Sequence, residues 1–482
     1  MDQRFECIVV GNDMSSLVSA ALLCASGKKT LLLSEGPLSG ELERNGYVFN
    51  LDPFPWPGLA PGGLGETLLR QRGVSLPEIP REAERTLHQF ILPEQRLDLF
   101  GDLRKTCFEF AREFPVQPDE IEAFFSLASE MAGRLEQYLS DPDFLRGGGG
   151  GRLWRDLIRY PGRRRDVMRL NGILADLGKR HPGLERIFRA QYLLFSGAPL
   201  RRDFPYSSGH AFTAPFRSGA FPPGAKQRIV GGLREICSAG DNACLAGCTV
   251  IRFRMKRRIE VDFSLEGDSW TVEGDRAVFS TKWEKLRPIL VKGEDLTRLE
   301  RKWKKVGHGG YPVTLHMGLK NRGIPELMGS SVLLLYEEKH RLMTDSLIYV
   351  EAGPGGGEAG GPEGGRALSA TVFLDDSPWR LGDGELEEVF RVVFRGVECF
   401  LPFLRENLEF IDPAWSMDVS RKYQEVVNHK YAIRPPVLAP LPVFSRTPPD
   451  RIVLTGGLQY PELGFDGEIL SGISSAAAIT GG

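Results

Sequence analysis

Long apolar runs are missing from this 482-residue sequence. No uninterrupted run reaches the about 20 residues that a membrane-spanning helix needs, and the first residues lack the basic-then-apolar order of a secretory signal. The seven cysteines have no paired spacing, so they do not form the disulfide framework of a small secreted protein. Together these absences predict a cytoplasmic protein in a reducing compartment.

Excess charge of one sign is also missing. The chain has 61 basic and 63 acidic residues, and its net charge is -2 at pH 7 when histidine is neutral. No general attraction to nucleic acid is therefore expected. The length exceeds what one core supports and predicts two or three domains, whereas the oligomeric state is not fixed by the sequence.

Signatures of acid–base, nucleophilic and metal chemistry are few. The sequence has neither a Gly-x-Ser-x-Gly turn nor a phosphate-binding loop. Cys237, Cys244 and Cys248 lie close together without a neighbouring histidine or a fourth cysteine, so packing is favoured and no metal site is expected. His308 and His316 are isolated, and isolated histidines are more often structural than catalytic. Catalytic residues stay unassigned, as in enzymes whose cofactor carries the chemistry.

The strongest local pattern lies in the first 35 residues. An apolar strand leads into Gly11, a helix of small and apolar residues follows, and a second strand ends at Glu35. This β-α-β order predicts parallel strands and resembles the dinucleotide-binding unit, in which an acid about 20 residues after the glycines binds ribose. Asp13 and Ser16 stand where the second and third glycines of the Gly-x-Gly-x-x-Gly motif are expected.

The rest of the chain predicts alternating regions of helix and antiparallel strand. Short strands between residues 250 and 279 fit a three- or four-stranded meander. The other predicted elements are paired strands at 88–92 and 96–100, helices at 103–112, 118–139 and 385–405, strands of a second sheet at 311–318, 331–336, 346–351 and 367–374, and a glycine-rich flexible hairpin tip at 353–366.

A basic segment follows five consecutive glycines, Gly147 to Gly151. Between Arg152 and Arg202 there are 13 Lys and Arg residues against four acids. Aromatic residues such as Trp154 alternate with arginines at its start, a pattern that suits contact with an anionic membrane surface. A solvated basic helix face is the alternative, and it is the commoner one.

Several motifs in order along the chain carry a family resemblance. Asn45-Gly-Tyr-Val-Phe-Asn-Leu-Asp-Pro, Gly231-Gly-Leu-Arg-Glu-Ile, Thr249-Val-Ile and the segment from Ile452 to Gly472 follow the N-terminal β-α-β unit. The chain resembles, from end to end, the phytoene desaturase and carotenoid isomerase branch of the FAD-dependent amine-oxidase-like flavoproteins.

The resemblance implies an α/β fold with a discontinuous Rossmann-type FAD-binding domain and a mixed substrate domain with an antiparallel sheet and a helical cap. The FAD-binding domain would comprise residues 1–87, 216–290 and 420–482, and the substrate domain residues 88–215 and 291–419. The implied cofactor is FAD, and the implied substrate is a long apolar isoprenoid or polyene. The implied cofactor-binding positions are Gly11, Asp13, Ser16, Glu35, Ser39, Gly40, Val250, Gly456, Gly457 and Gly467.

Four residues depart from the family pattern around that cofactor: Asp13, Glu41, Gly457 and Glu468. Asp13 replaces the glycine nearest the pyrophosphate, and two unit charges about 5 Å apart repel by roughly 3 kcal/mol at an effective dielectric near 20, or about a hundredfold in affinity. Glu41 replaces a cation, Gly457 replaces an acid that would hold the ribityl chain, and Glu468 is predicted in the first turn of the C-terminal helix.

Asp13 has a further consequence because aspartate is a good N-cap residue. Its carboxylate accepts hydrogen bonds from the first free N–H groups of a helix, the groups that otherwise bind phosphate. Three functions therefore stay open: an FAD-dependent desaturase- or isomerase-like oxidoreductase, a pseudo-oxidoreductase that kept the fold and binds a ligand or partner, and an amine-oxidase-like flavoenzyme.

Overall fold

Two seven-stranded sheets carry most strands of the protein, which is described from a computed structural model. The described residues are 4–36, 40–52, 54–79, 86–145, 161–200, 208–218, 224–280, 306–308, 310–336, 340–355, 362–426, 431–433, 451–457, 459–460 and 463–481. Ser39, Gly147 to Gly151, Trp154 and the middle of the predicted hairpin tip, residues 356–361, lie outside these ranges.

The strands are β1 (Arg4–Gly11), β2 (Thr30–Ser34), β3 (Glu41–Arg44), β4 (Tyr47–Asn50), β5 (His88–Ile91), β6 (Arg96–Leu99), β7 (Ala243–Ala246), β8 (Thr249–Met255), β9 (Ile259–Leu265), β10 (Asp268–Ser280), β11 (Val306–His308), β12 (Tyr311–Lys320), β13 (Ser331–Leu335), β14 (Met343–Gly355), β15 (Gly365–Leu374), β16 (Leu408–Ile411), β17 (Tyr431–Ile433) and β18 (Ile452–Leu454). The helices are α1 (Met14–Ala25), α2 (Leu64–Arg70), α3 (Leu103–Glu113), α4 (Pro118–Leu139), α5 (Pro142–Leu145), α6 (Pro161–Arg180), α7 (Pro182–Ser196), α8 (Ser208–Ser218), α9 (Ala225–Cys237), α10 (Asp383–Phe400), α11 (Leu404–Asn407), α12 (Pro413–Val426) and α13 (Gly464–Thr480).

The first sheet has the strand order β7-β2-β1-β10-β9-β8, and β18 also pairs with β10. Strand β1 lies parallel to β2 and to the second half of β10, with Gly11 opposite Ser280. The first half of β10 pairs antiparallel with β9. The meander predicted from the sequence is therefore three strands, because its last two predicted strands are one long strand that enters the parallel sheet. This register brings Ser280 beside the turn after β1.

The second sheet has the order β16-β12-β15-β14-β13-β5-β6. Its neighbours are antiparallel except for β5 and β13, which confirms the predicted second, mostly antiparallel sheet. Strands β14 and β15 extend toward the predicted glycine-rich tip further than expected. One apolar core lies between this sheet and α10, and a cap of helices packs through buried phenylalanines such as Phe124, Phe188 and Phe212.

The described part of the basic segment forms α6 and α7. Arg180 pairs with Glu120 of α4, with 2.9 Å between nitrogen and oxygen, and Arg186 donates to the carbonyl oxygens of Leu335 and Tyr336. These arginines therefore hold helices and strands together. Residues 152–160 and 201–202 lie outside the described ranges. Among the described helices, none is both long enough and apolar enough to cross a membrane.

Candidate cofactor site

The turn between β1 and α1 keeps the close packing of the dinucleotide-binding unit. A Cβ atom on Gly11 would lie 2.8 Å from the Cβ of Ser280 and 2.9 Å from the Cβ of Ser16, so a side chain has no room there. Ser16 is buried, and its hydroxyl donates to the Asp13 carbonyl oxygen at 2.7 Å. Serine is accommodated in place of the third glycine because its polar atom is satisfied within its own turn.

Asp13 is the N-cap residue of α1. Its Oδ1 accepts hydrogen bonds from the Ser16 backbone N–H at 3.0 Å and from the Ser15 hydroxyl at 2.8 Å, while its Oδ2 accepts from the Ser280 hydroxyl at 2.5 Å. The predicted self-capping is thus confirmed. Burial raises the pKa of Asp13, and these hydrogen bonds act in the opposite direction. Donors that would face a bound phosphate are directed to the protein's own carboxylate.

The end of β2 is tied to the same turn. The Ser34 hydroxyl bonds to the Asn12 side chain and donates to the Gly36 carbonyl oxygen at 2.9 Å. Glu35 follows Ser34 directly and is partly exposed. Its contact with a ribose stays a prediction.

Strand β3 begins just after Gly40, a residue that has a left-handed backbone with φ of 67°. Gly40 lines the pocket described below. Glu41, the first residue of β3, is partly buried, and burial raises its pKa. No basic residue stands at this position, so the cation expected from the family pattern is replaced by an acid.

A pocket of about 70 Å³ opens at the N-terminus of α1. Its lining is Asn12, Asp13, Met14, Leu17, Gly40, Leu51, Asp52, Trp56, Val230, Tyr423, Phe465 and Glu468. Trp56 and Phe465 stack with ring centroids 4.7 Å apart. Burial, followed by the charges of Asp52, Glu468 and Asp13, raises the pKa of Tyr423 well above its usual range. The pocket is apolar over most of its lining and acidic in its charged groups.

The N-terminus of α13 reaches this pocket through Phe465 and Glu468. Glu468 is buried and lies in the second turn of the helix, so its predicted first-turn position is wrong by one turn. The first-turn acid is Asp466, which the sequence reasoning missed. Its Oδ1 accepts from the Gly58 N–H at 2.7 Å, and its Oδ2 lies 2.8 Å from Nε2 of His210.

The predicted glycines before and within α13 have different local roles. The Gly456 N–H donates to the Ser471 hydroxyl at 2.9 Å. A Cβ on Gly467 would lie 2.4 Å from the Tyr460 carbonyl oxygen. Gly457 lies in the turn after β18, and its place beside a ribityl chain stays a prediction.

A buried ion pair next to the pocket was not foreseen. Nζ of Lys226, at the start of α9, lies 2.7 Å from Oε1 of Glu351 on β14 and 3.1 Å from the Asp52 carbonyl oxygen. The Asn50 amide donates to the other Glu351 oxygen at 2.9 Å. Burial raises the pKa of Glu351 although Lys226 and Asn50 oppose it. The pair joins a helix beside the first sheet to the second sheet.

Three further singled-out residues, Val250, His316 and Cys248, are not among those that line the pocket. Val250 is buried in the apolar cluster under the first sheet, and its contact with an adenine stays a prediction. His316 packs against Phe49 and Trp415, and burial lowers its pKa to about 3, which fits a packing role. The Cys248 thiol donates to the Ser34 carbonyl oxygen at 3.1 Å. The side chain of His308 lies outside the described residues.

Solved oxidoreductases resemble this chain along almost their whole length. Putrescine oxidase bound to putrescine is 16% identical with a TM-score of 0.60 and 99% coverage of both chains. Cyclohexylamine oxidase from Brevibacterium oxydans is 12% identical with a TM-score of 0.56 and 99% coverage of both chains. An oxidoreductase from Methanosarcina mazei is 13% identical with a TM-score of 0.59, over 97% of this chain and 98% of that one. No protein-family model and no curated protein matches the sequence.

At these identities the likeness shows the fold. The chain has the mixed α/β fold of these solved oxidoreductases, which confirms the predicted fold class. FAD stays the cofactor predicted from the family resemblance. The amine-oxidase-like family, its phytoene desaturase branch and the domain bounds all stay predictions.

The residues of this chain do not fit FAD at its phosphates. One backbone N–H of the first turn of α1, that of Ser16, and two hydroxyls already bond to the Asp13 carboxylate, and phosphate groups would have to displace that carboxylate or lie beside it. Asp52 and Glu468 line the same pocket. The negative charges of these carboxylates disfavour the binding of a dianionic pyrophosphate in the pocket.

Proposed function

We propose that this protein is a pseudo-oxidoreductase: it keeps the fold of an amine-oxidase-type flavoprotein, does not hold FAD tightly, and acts by binding a ligand or partner. The observation that carries the proposal is the buried Asp13 carboxylate with three hydrogen-bond donors at 2.5 to 3.0 Å. A helix N-terminus binds anions through free N–H groups. Here the side chain of the cap residue, Asp13, accepts the hydrogen bond of the Ser16 N–H in place of an anion.

The proposed ligand is an apolar small molecule. Met14, Leu17, Leu51 and Val230 line the pocket together with stacked Trp56 and Phe465, and mainly apolar walls suit such ligands.

The proposal includes contact between the basic segment, Arg152 to Arg202, and an anionic membrane. Such a membrane would be a source of apolar ligands. Sedimentation with phosphatidylserine vesicles tests it. Binding that weakens between low and high salt supports it, while equal sedimentation with neutral vesicles counts against it.

An FAD-dependent oxidoreductase is the second candidate. The tight turn at Gly11 and the close approach of Gly467 to the Tyr460 carbonyl are retained, and amine oxidases share the fold. In this candidate FAD supplies the redox chemistry, and the substrate is either the isoprenoid or polyene implied by the family branch or an amine. The putrescine bound in one similar structure makes the amine the simpler choice to assay.

FAD titration of the purified full-length chain separates the two candidates. The pseudo-oxidoreductase should be colourless as isolated and show no saturable binding at high micromolar FAD. Asp13→Gly should raise the FAD affinity by roughly 100-fold, because it removes a like charge and frees the helix N-terminus. Isothermal calorimetry and the quenching of flavin fluorescence give the affinity.

Asp13→Asn is the matched control that separates the effect of the Asp13 charge from the effect of its side-chain shape. It removes the charge but leaves a side chain of the same size over the N–H groups. A gain close to that of Asp13→Gly would assign the obstacle to charge, and a much smaller gain would assign it to the occupied helix N-terminus. A yellow wild-type protein with near-stoichiometric flavin would sink the proposal and support the second candidate. Equal FAD affinity in wild type and Asp13→Gly would show that Asp13 is not the obstacle.

A further inference from the structure

A second pocket lies at one end of the second sheet and is separate from the pocket at α1. Its volume is about 430 Å³, against about 70 Å³ for the pocket at α1. The two pockets share none of their described lining residues. A volume of this size is in the range of small-molecule sites. We call it the sheet-end pocket, and its lining includes Ile91, Leu92, Leu334, Leu335, Tyr336 and Phe400.

Two parallel strands and one helix form the walls of the sheet-end pocket. Strands β5 and β13 pair in parallel with Leu334 opposite Ile91, and both strands end at the pocket. Helix α10 forms a further wall with Gly396 and residues of its last turn. A Cβ on Gly396 would lie 2.4 Å from Cδ1 of Ile348, so helix and sheet are in close contact beside the pocket. Packing therefore fixes these walls before any ligand binds.

The lining of the sheet-end pocket suits a hydrocarbon chain. Among its described residues, none has a charged side chain, and most present aliphatic or aromatic carbon. The charged residues of α10 that neighbour the lining in sequence are already paired: Arg395 lies 3.9 Å from Glu388, and Arg405 bonds to Glu398. A charged group of a ligand would therefore have to find its partner on another element.

Arg186 of α7 supplies a cation at the edge of the sheet-end pocket. Its Nη2 donates to the carbonyl oxygens of Leu335 at 2.9 Å and Tyr336 at 3.1 Å, and both of these residues line the pocket. In the part of the chain that the structure describes, no carboxylate pairs with Arg186, and the neighbouring acid, Glu185, pairs with Arg189 at 3.1 Å. Arg186 is partly buried, and a carboxylate that reached its Nε and Nη1 would form charge-assisted, bidentate hydrogen bonds.

The packing of α7 explains why Arg186 is at this place. A Cβ on Gly183 would lie 3.4 Å from Cδ2 of Leu92, a lining residue of the pocket. Arg186 follows three positions later, and residues three apart lie on the same face of a helix. The contacts of both residues therefore place this face of α7 beside the pocket.

We propose that the sheet-end pocket binds an amphipathic carboxylate, a molecule with an unbranched apolar chain and a terminal carboxylate. The chain lies between the ends of β5 and β13 and the last turns of α10, and the carboxylate accepts hydrogen bonds from Arg186. Each CH₂ group buried in the pocket should raise the affinity about fourfold. This binding does not depend on the pseudo-oxidoreductase function, because it concerns a different pocket.

Titration calorimetry of the full-length chain with decanoate, below its micelle concentration, tests the proposal. We expect saturable binding, and the two CH₂ groups added from octanoate to decanoate should raise the affinity roughly 15-fold. Decylammonium has the opposite charge on a chain of the same length and should bind roughly 10-fold more weakly or worse. The absence of saturable binding up to millimolar decanoate overturns the proposal. Equal or tighter binding of decylammonium also overturns it and would indicate acids such as Glu337 and Glu338, which follow Tyr336 outside the described residues.

Arg186→Gln tests the contact with the carboxylate. The variant removes the charge, while its amide can still donate to one of the two carbonyl oxygens, and the affinity for decanoate should fall roughly 10-fold or more. The matched control is the double variant Glu185→Gln with Arg189→Gln, which removes an arginine of the same helix together with its partner and should leave the affinity unchanged. Melting temperatures check the fold of both variants. Equal decanoate affinity in wild type and folded Arg186→Gln would contradict the proposal.

Cys399 gives a measurement that needs no variant. Its thiol is exposed and it lines the pocket, so saturating decanoate should slow its reaction with N-ethylmaleimide several-fold, as followed by mass spectrometry. Cys24 on α1 is partly exposed and is not among the described lining residues, so its reaction rate should stay the same. Cys399→Trp fills the pocket from an exposed helix position and should abolish binding. Unchanged labelling of Cys399 at saturating decanoate, or full decanoate binding by Cys399→Trp, would show that the chain binds elsewhere and would end the proposal.

Discussion

The N-termini of α1 and α13 both carry a buried aspartate, but the two carboxylates act over different distances. Asp13 bonds to residues in its own turn and to Ser280, which the parallel register places beside it. Asp466 instead holds the Gly58 N–H and His210, which belong to a 3-10 turn and to the cap helix α8. Asp13 closes its own turn and bonds to one neighbouring strand, whereas Asp466 ties three separate parts of the chain together.

This difference shows two ways in which the N-terminus of a helix becomes part of the protein's own framework. At α1 the carboxylate of the cap residue, Asp13, accepts a hydrogen bond from a backbone N–H of the first turn. At α13 the acid of the first turn acts as an anchor for the segments that pack over it. The two positions therefore make different predictions for stability and for ligand binding.

Asp466→Ala should have the largest effect on stability. It leaves the Gly58 N–H and His210 Nε2, both buried, without their acceptor, and the free energy of unfolding should fall by about 3 kcal/mol. Urea denaturation followed by tryptophan fluorescence measures this loss. Asp466→Asn is the control, since its amide oxygen can still accept from Gly58, and it should cost clearly less; equal losses would mean that only the charge matters.

Asp13→Ala should cost less, about 2 kcal/mol, for loss of the N-cap and of two hydroxyl hydrogen bonds. The loss is limited because Ser15 and Ser280 already lie 3.1 Å apart and can bond to each other. The same denaturation experiment measures it. A cost larger than that of Asp466→Ala would break the comparison, because the local cap would then matter more than the long-range anchor.

The same contrast explains what could be predicted from the sequence. The β-α-β unit and the capping role of Asp13 rest on residues close in sequence, and both are confirmed. The bond from Ser280 needed the register of β10, which was predicted as two short strands. Asp466 with His210, and Lys226 with Glu351, are pairs of residues on distant elements, and no local periodicity indicates which partner each will meet.

The predicted placement of Glu468 failed for a related reason. The turn after β18 and the left-handed Gly464 set the first residue of α13, and a Cβ on Gly464 would clash at 2.1 Å with the Phe195 carbonyl oxygen. The start of this helix is thus fixed by packing against α7, a tertiary contact, and the acid of its first turn is Asp466.

The smallest expected effect is a pH dependence specific to Asp13. Burial raises its folded-state pKa above the unfolded value of about 3.9, so its contribution to stability is complete below that value and declines as pH rises through the folded pKa. Asp13→Asn cannot titrate. The free energy of unfolding of wild type minus that of Asp13→Asn should therefore be most favourable to wild type near pH 4 and should decrease toward pH 8. Denaturation of both proteins across this range measures the difference, and a difference that grows with pH would mean that the three hydrogen bonds outweigh burial and that the cap is a stable carboxylate.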